Sequence, residues 1–355
     1  TFTGMQATYT SGSASNENFN LAASASGLTM ATSSQLTAML PVPTITSSTY
    51  NATTASLVVT GTEFEANASA ADVDVSKLTI TGEGGATYTL TTADVERDSA
   101  TQFTVSLNAA DKLNVNGLLN TVGTAADNGT TYNIAAGDDF ITNVTAGETA
   151  DATSNPISVS DVVIPTVTSA TYNANTASLV VTGSNFVAKS GANNDVNVNK
   201  LIVSTTSSTQ TLTSPNVEVS SSTQFTVTLN TADKQALHNL INKNGTSSLS
   251  SLVYNLEAAE DWMAASAASS NIVDAADNGI TASNVFELNI TNNSPATVFG
   301  GLNGSITATI SGGAPNYSYV WSNGFAQNST VSLTSSNEGL AAGAYSITVT
   351  DADGF

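Results

Sequence analysis

Residues 54–61 read Thr-Ala-Ser-Leu-Val-Val-Thr-Gly, and residues 176–183 read the same eight residues again. Branched apolar residues flanked by Thr and stopped by Gly spell a short strand ending in a turn. The recurrence sets the organisation of the chain. Thr-Gln-Phe-Thr-Val recurs at 101–105 and 223–227, Ala-Asp-Lys at 110–112 and 232–234, and Pro43-Thr-Ile-Thr matches Pro165-Thr-Val-Thr. Pro43 and Pro165 stand 122 residues apart. That is the size of a domain, whereas stacked solenoids repeat every 20–50 residues or so. The expectation is therefore an array of separately folded domains: residues 43–164 and 165–285 as two repeats, and 286–355 as a third, β unit. Residues 1–42 are expected to be an extended segment or the end of a preceding β domain.

Within a repeat the pattern is mainly strand. Ser56–Thr60 and Lys77–Thr81 are short and β-branched, and Thr87–Thr91 and Gln102–Leu107 alternate apolar with polar residues, as half-buried strands do. Gly61, Gly82 and Gly84-Gly85 punctuate them. The fold class expected is mostly β: tandem immunoglobulin-like β-sandwich domains with one or two short helices inserted in each long repeat. One helix starts near Thr231, carries Ala236, Leu237, Leu240 and Ile241 as a stripe, and is stopped by Gly245. Its counterpart holds Leu113, Leu118 and Leu119. A second short helix is expected over Glu257–Ala264 around Trp262, with a weaker equivalent over Ala135–Phe140. In the third unit, Gly304–Ser311, Tyr317–Trp321 and Ala344–Thr350 read as strands.

Composition narrows the function. Seven Lys and Arg stand against 28 Asp and Glu, a net charge of −21. Neutralising phosphates needs clustered cations, so no nucleic-acid partner is expected, and an anionic membrane surface would repel the chain. No run of about 18 apolar residues is present, so no membrane-spanning helix is expected. The chain has no cysteine, which removes disulfides and thiolate chemistry. It begins at Thr1 without a basic-then-apolar leader and is read as a mature or excised piece of a longer protein.

The third unit resembles the SprB-type repeat, a small immunoglobulin-like module related to PKD domains. The resemblance rests on Asn303-Gly-Ser-Ile, Ser311-Gly-Gly-Ala-Pro315, Tyr319-Val-Trp-Ser-Asn-Gly324 and Leu340-Ala-Ala-Gly343 leading into Tyr345-Ser-Ile-Thr-Val-Thr-Asp351. It implies export to the cell surface, as in the giant adhesins of gliding Bacteroidota. That family places Cys just after its final Asp-x-x-Gly, where this chain has Phe355. The departure leaves the module one strand short, to be supplied by further chain or by a neighbour. The two long repeats resemble those of giant bacterial surface or secreted proteins, on Tyr50–Gly61, Lys77–Gly85 and Tyr254–Trp262.

The acidic runs are the candidates for chemistry. Asp72-Val-Asp74 corresponds to Asn194-Asp195-Val-Asn197, Asp138-Asp139 to Glu260-Asp261, and Asp151 to Asp274, with Asp277 close by; Asp351-Ala-Asp353-Gly ends the third unit. Hard cations take about six to eight oxygens, so Asp72, Asp74, Asp138, Asp139, Asp195, Glu260, Asp261, Asp274, Asp277, Asp351 and Asp353 are candidate calcium ligands. Calcium between domains would stiffen a rod and offset charge repulsion. The competing reading of each run is solvated loop carboxylates, and none completes an EF-hand loop or an RTX nonapeptide. Lys77 and Lys200 start matching strands and are read as snorkelling or salt-bridged rather than cross-linked to Asn. His238 is the single histidine; Asn116 takes its place in the first repeat, and it is read as an incidental helix residue. Phe103, Phe225, Tyr132, Tyr254, Tyr319 and Trp321 are read as core rather than as a carbohydrate platform.

With no nucleophile motif, P-loop or zinc-binding helix in view, the chain is not expected to be an enzyme. The expectation is an extracellular or bacterial cell-surface segment, structural and adhesive. It would serve as an adhesin stalk or as a filament subunit whose neighbours are other domains or copies of itself, joined by strand addition. A surface glycan or protein ligand fits the same role. The alternative is a calcium-stabilised carbohydrate-binding module.

Overall fold

The computed structural model describes residues 17–23, 26–27, 29, 31–38, 42–144, 150–152, 155–267, 269–275 and 278–355. The chain divides into two compact units, Thr1–Val163 and Ile164–Phe355.

The first unit opens with a ribbon that pairs with itself. β1 (Glu17–Phe19) lies antiparallel to β4 (Leu36–Ala38), and β2 (Ala22–Ala23) to β3 (Ala31–Thr32). A β-sandwich follows, built from β5 (Thr44–Asn51), β6 (Ser56–Thr62), β7 (Leu78–Thr81), β8 (Thr87–Thr89), β9 (Arg97–Ser99), β10 (Gln102–Ser106), α1 (Ala109–Leu118), β11 (Asn133–Ala136) and β12 (Ile157–Ser160). One sheet has the order β12-β5-β6-β10-β9 and the other β11-β7-β8. Alternation places Leu57 and Val59 of β6, Phe103 and Val105 of β10 and Leu78 and Ile80 of β7 in one buried core. The glycine that ends the repeated octapeptide is sterically required. A Cβ on Gly61 would lie 2.0 Å from the Thr44 carbonyl oxygen and 2.4 Å from the Phe64 ring, and Gly183 meets Thr166 and Phe186 in the same way.

The second unit begins with a sandwich of the same plan: β13 (Thr166–Asn173), β14 (Ser178–Ser184), β15 (Leu201–Ser204), β16 (Thr209–Thr211), β17 (Val219–Ser221), β18 (Gln224–Thr228), α2 (Thr231–Leu240), β19 (Asn255–Ala258) and β20 (Ile280–Ser283). Its sheets run β17-β18-β14-β13-β20 and β16-β15-β19, the same neighbours as before. The architecture is thus mostly β, two-sheet sandwiches with one α-helix in each long repeat. Both helices start on an asparagine whose side chain accepts an N–H from inside the first turn, Asn108 from Asp111 and Asn230 from Asp233, each at 2.8 Å. α2 ends at Leu240, before the stop expected at Gly245.

The helix expected over Glu257–Ala264 is not formed. Asn255–Ala258 is strand β19, bonded to β15 with Leu256 and Ala258 inward. Asp261 then turns the chain at φ 63°, which no right-handed helix accommodates. The segment 135–140 does the same, ending β11 and turning at Asp139 with φ 61°. Pairing with a long-range strand overrode the local helical spacing.

The third module comprises β21 (Glu287–Ser294), β22 (Gly304–Ser311), β23 (Tyr317–Trp321), β24 (Ala326–Thr330), β25 (Thr334–Leu340) and β26 (Ile347–Thr350). They form two three-stranded sheets, β21-β22-β25 and β24-β23-β26. Ile310, Tyr317, Tyr319 and Val349 are its core, with Phe286 and Ile347 packed against them.

Candidate functional site

The side chains that do most beyond filling cores lie where the third module meets the second sandwich, inside the second unit. Three groups on or just after α2 reach across. Lys234 forms an ion pair with Asp353. His238 stacks on Phe355, ring centroids 4.0 Å apart and 20° from parallel. Asn244 gives Glu287 two hydrogen bonds, one from its backbone N–H at 2.6 Å and one from its side chain at 3.0 Å, and its own side-chain oxygen accepts the Val285 N–H at 3.0 Å. Asp351 shapes the opposing loop. Its carboxylate accepts N–H groups from Ala314 at 2.9 Å and from Asp353 and Phe355 at 3.0 Å each, which holds both partners of α2 in place. Gly313, at φ 70°, closes the joint; a Cβ there would lie 2.7 Å from the Phe286 ring and 2.9 Å from the Asp351 carboxylate.

The space left between Tyr172, His238, Ile241, Val285, Phe286 and Phe355 is about 20 Å³, room for a water-sized molecule and far below a small-ligand site. Burial pushes the His238 imidazole down, against the pull of the Asp351 carboxylate. Burial, with Asp353 nearby, pushes the Tyr172 hydroxyl up to about 12. His238 sits among the Phe286 and Phe355 rings, with the Asp351 carboxylate nearby. The geometry makes a fastened joint, and His238, read from sequence as incidental, is part of it.

The matching face of the first sandwich is different. Lys112 donates to its own Thr53 carbonyl at 2.8 Å. Asn116 accepts the Tyr50 hydroxyl at 2.6 Å and donates to the Ala52 carbonyl at 3.3 Å. Val122, in the place of Asn244, is 66% exposed.

The acidic candidates are dispersed and work mainly on backbone amides. Asp72 is buried and accepts N–H groups from Asn67 and from Arg97, the latter at 3.0 Å, with the Arg97 guanidinium 3.9 Å away. Asp195 does the same with Lys189 at 2.5 Å and Val219 at 2.9 Å. Asp74 caps a 3-10 turn through the Ser76 N–H at 3.0 Å. Asp151 and Asp274 anchor the first strand of each sandwich, accepting the Ile45 N–H at 2.7 Å and the Val167 N–H at 2.8 Å. Glu260 accepts the Ile272 N–H at 3.3 Å. Asp138, Asp139 and Asp261 are exposed on turns, and the left-handed backbone of Asp139 and Asp261 is one that Asp tolerates well. Asp351 and Asp353 belong to the joint. Asp277 lies outside the described residues. Among the described residues, no three acidic or histidine side chains converge on one point. The aromatic residues read as core are buried: Phe103, Phe225, Tyr132, Tyr254, Tyr319 and Trp321 are each at most 2% exposed.

Two carboxylates escaped the sequence reading. Asp111, fully buried, accepts the N–H and hydroxyl groups of both Thr91 and Thr92 and the Tyr88 hydroxyl. Asp233 accepts the same four kinds of donor from Thr213 and Ser214. The recurring Ala-Asp-Lys was their visible signal: its Asp locks the helix to the sandwich, and its Lys reaches the Thr53 carbonyl in the first sandwich and Asp353 in the second.

Comparison with known proteins gives one family match, within the third module. Residues 291–325 match the SprB repeat family. No curated protein matches the chain. Among solved structures it is similar to the FN1–FN3 domains of chicken CNTN1, at 12% identity over 83% of this chain and 88% of that one, TM-score 0.17. It is also similar to a chain from a study of Dscam isoform specificity, at 10% identity over 88% and 75%, TM-score 0.17. A third is dimeric latent PorU of Porphyromonas gingivalis, at 10% identity, where 88% of this chain spans 30% of that one, TM-score 0.18. Likeness at this level carries nothing about activity or assembly.

Proposed function

We propose that the chain is a structural and adhesive segment of a bacterial cell-surface or secreted repeat protein, a run of β domains that holds binding regions away from the cell. The observation that carries this reading is the SprB repeat match at residues 291–325, in a module fastened by side chains to a domain that the chain builds twice. A spacer needs domains that do not hinge freely, and the joint from α2 to Asp353 and Phe355 supplies that stiffness at one boundary. The acidic surface favours the same role, since a net charge of −21 keeps neighbouring molecules apart.

The test is immunogold labelling of producing cells with antibody raised against the 355-residue chain. Gold on intact cells or in the culture fluid is the expected result. Labelling confined to permeabilised cells overturns the proposal.

A further inference from the structure

We infer that the third module accepts a β-strand from a second copy of this chain, residues 5–10 laid into the open side between β21 and β26. This rests on the structural reading above and names the partner.

The chain itself shows, twice, what belongs on that side. In the first sandwich the last stretch bridges antiparallel to β11, pairing Asp151 with Ala136 and Pro156 with Asn133, and then runs parallel to β5 as β12. In the second, Asp274 and Gly279 bridge to Ala258 and Asn255, and β20 runs parallel to β13. The closing strands read Ile-Ser-Val-Ser and Ile-Thr-Ala-Ser, uncharged and alternating, with Ile157, Val159, Ile280 and Ala282 buried.

In the third module β21 takes the place of β5 and β26 that of β11. Among the described residues β21 pairs with β22 alone and β26 with β23 alone. Their ends meet at Gly313, which touches both Phe286 before β21 and Asp351 after β26. Leu288 and Ile290 stand opposite the buried Ile310 and Ala308 and so face inward, yet they are 43% and 46% exposed; the inward Ile45 and Tyr50 of β5 are 4% and 1% exposed. The Ser322 N–H bonds to Ser346, so along an antiparallel ladder the amides of Ile347 and Val349 point away from β23 toward the open side. A free backbone edge beside uncovered inward apolar side chains is an acceptor for strand addition.

The occupant must be uncharged and alternating, as the two closing strands are. Residues 1–16 carry no charged side chain, and Met5-Gln-Ala-Thr-Tyr-Thr10 alternates apolar with polar. In a chain of charge −21, a segment free of carboxylates adds no like charge of its own at the point where it meets another copy.

The experiment compares the full chain with one lacking residues 1–16, by light scattering across concentration, and adds a synthetic peptide of residues 1–16 to the shortened chain while amide exchange is followed. The full chain is expected to associate as concentration rises and the shortened chain to stay monomeric. The peptide should slow exchange at Ile347 and Val349 by about tenfold or more, and Ile290→Lys should abolish the effect. A full chain monomeric throughout, with or without protection of those amides, overturns the inference, as does a peptide that protects neither. Failure of surface labelling would leave these results untouched, so the two readings fall separately.

Discussion

Asp72 and Asp195 hold the same loop in the two sandwiches and are driven in opposite directions. For Asp72 burial opposes ionisation, but the N–H groups of Asn67 and Arg97 and the Arg97 guanidinium outweigh it and the carboxyl sits below its ordinary value. For Asp195, burial and the neighbouring Glu218 outweigh the two N–H groups and push the carboxyl from 3.8 up to about 6. Val219 stands where the first sandwich has Arg97. A carboxyl raised in the folded state stabilises the fold while protonated. Its contribution is therefore complete below about pH 4 and is lost as pH rises through about 6, a cost on the order of 3 kcal/mol. Carbon-detected NMR titration should place the Asp195 midpoint near 6, and Val219→Arg should draw it down toward the ordinary carboxylate range. An unmoved midpoint would show that the missing guanidinium is not the cause. The sequence displays both aspartates, but the substitution that separates them lies 24 residues further along and becomes a neighbour only through sheet pairing.

At the scale of elements, each long repeat hangs its helix on one carboxylate. Asp111 and Asp233 sit in the first turns of α1 and α2, where an anion also meets the positive end of the helix, and each gathers two backbone amides and two hydroxyls from one loop. Asp111→Asn or Asp233→Asn replaces an acceptor with a donor against four donors. The expected loss is roughly 2–4 kcal/mol, seen as a fall of several degrees in the melting of the unit concerned. Calorimetry that finds the melting of either variant unchanged would mean that water or a rearranged loop satisfies those donors. The strands were readable because burial on one face of a sheet imposes a period of two on the sequence. Glu257–Ala264 was misread because apolar spacing over eight residues fits a helix as well as a strand and its turn, and the partner β15 decides between them.

At the scale of the molecule, the joint between the second sandwich and the third module separates two classes of contact. Lys234 and Asp353 form a surface pair worth at most about 1 kcal/mol, whereas the His238–Phe355 stack and the Asn244 clasp are half-buried and directional. The chain has no cysteine, so Ser207→Cys and Asn328→Cys give two unique dye sites across the joint. Single-molecule energy transfer should show one narrow distribution, little changed by Lys234→Ala. It should broaden when His238→Asn and Asn244→Ala are combined; an unbroadened distribution would show that backbone contacts alone fix the geometry. By itself the sequence determined the main strands, the buried aromatics and the β class, because alternating burial is a local record of a shared core. The contacts of the joint, the donors gathered by the loop-locking aspartates and the uncovered inward face of β21 were decided by the tertiary structure alone. Each depends on groups such as Lys234 and Asp353, 119 residues apart, that have no local pattern to betray them and become neighbours only once the sheets have closed.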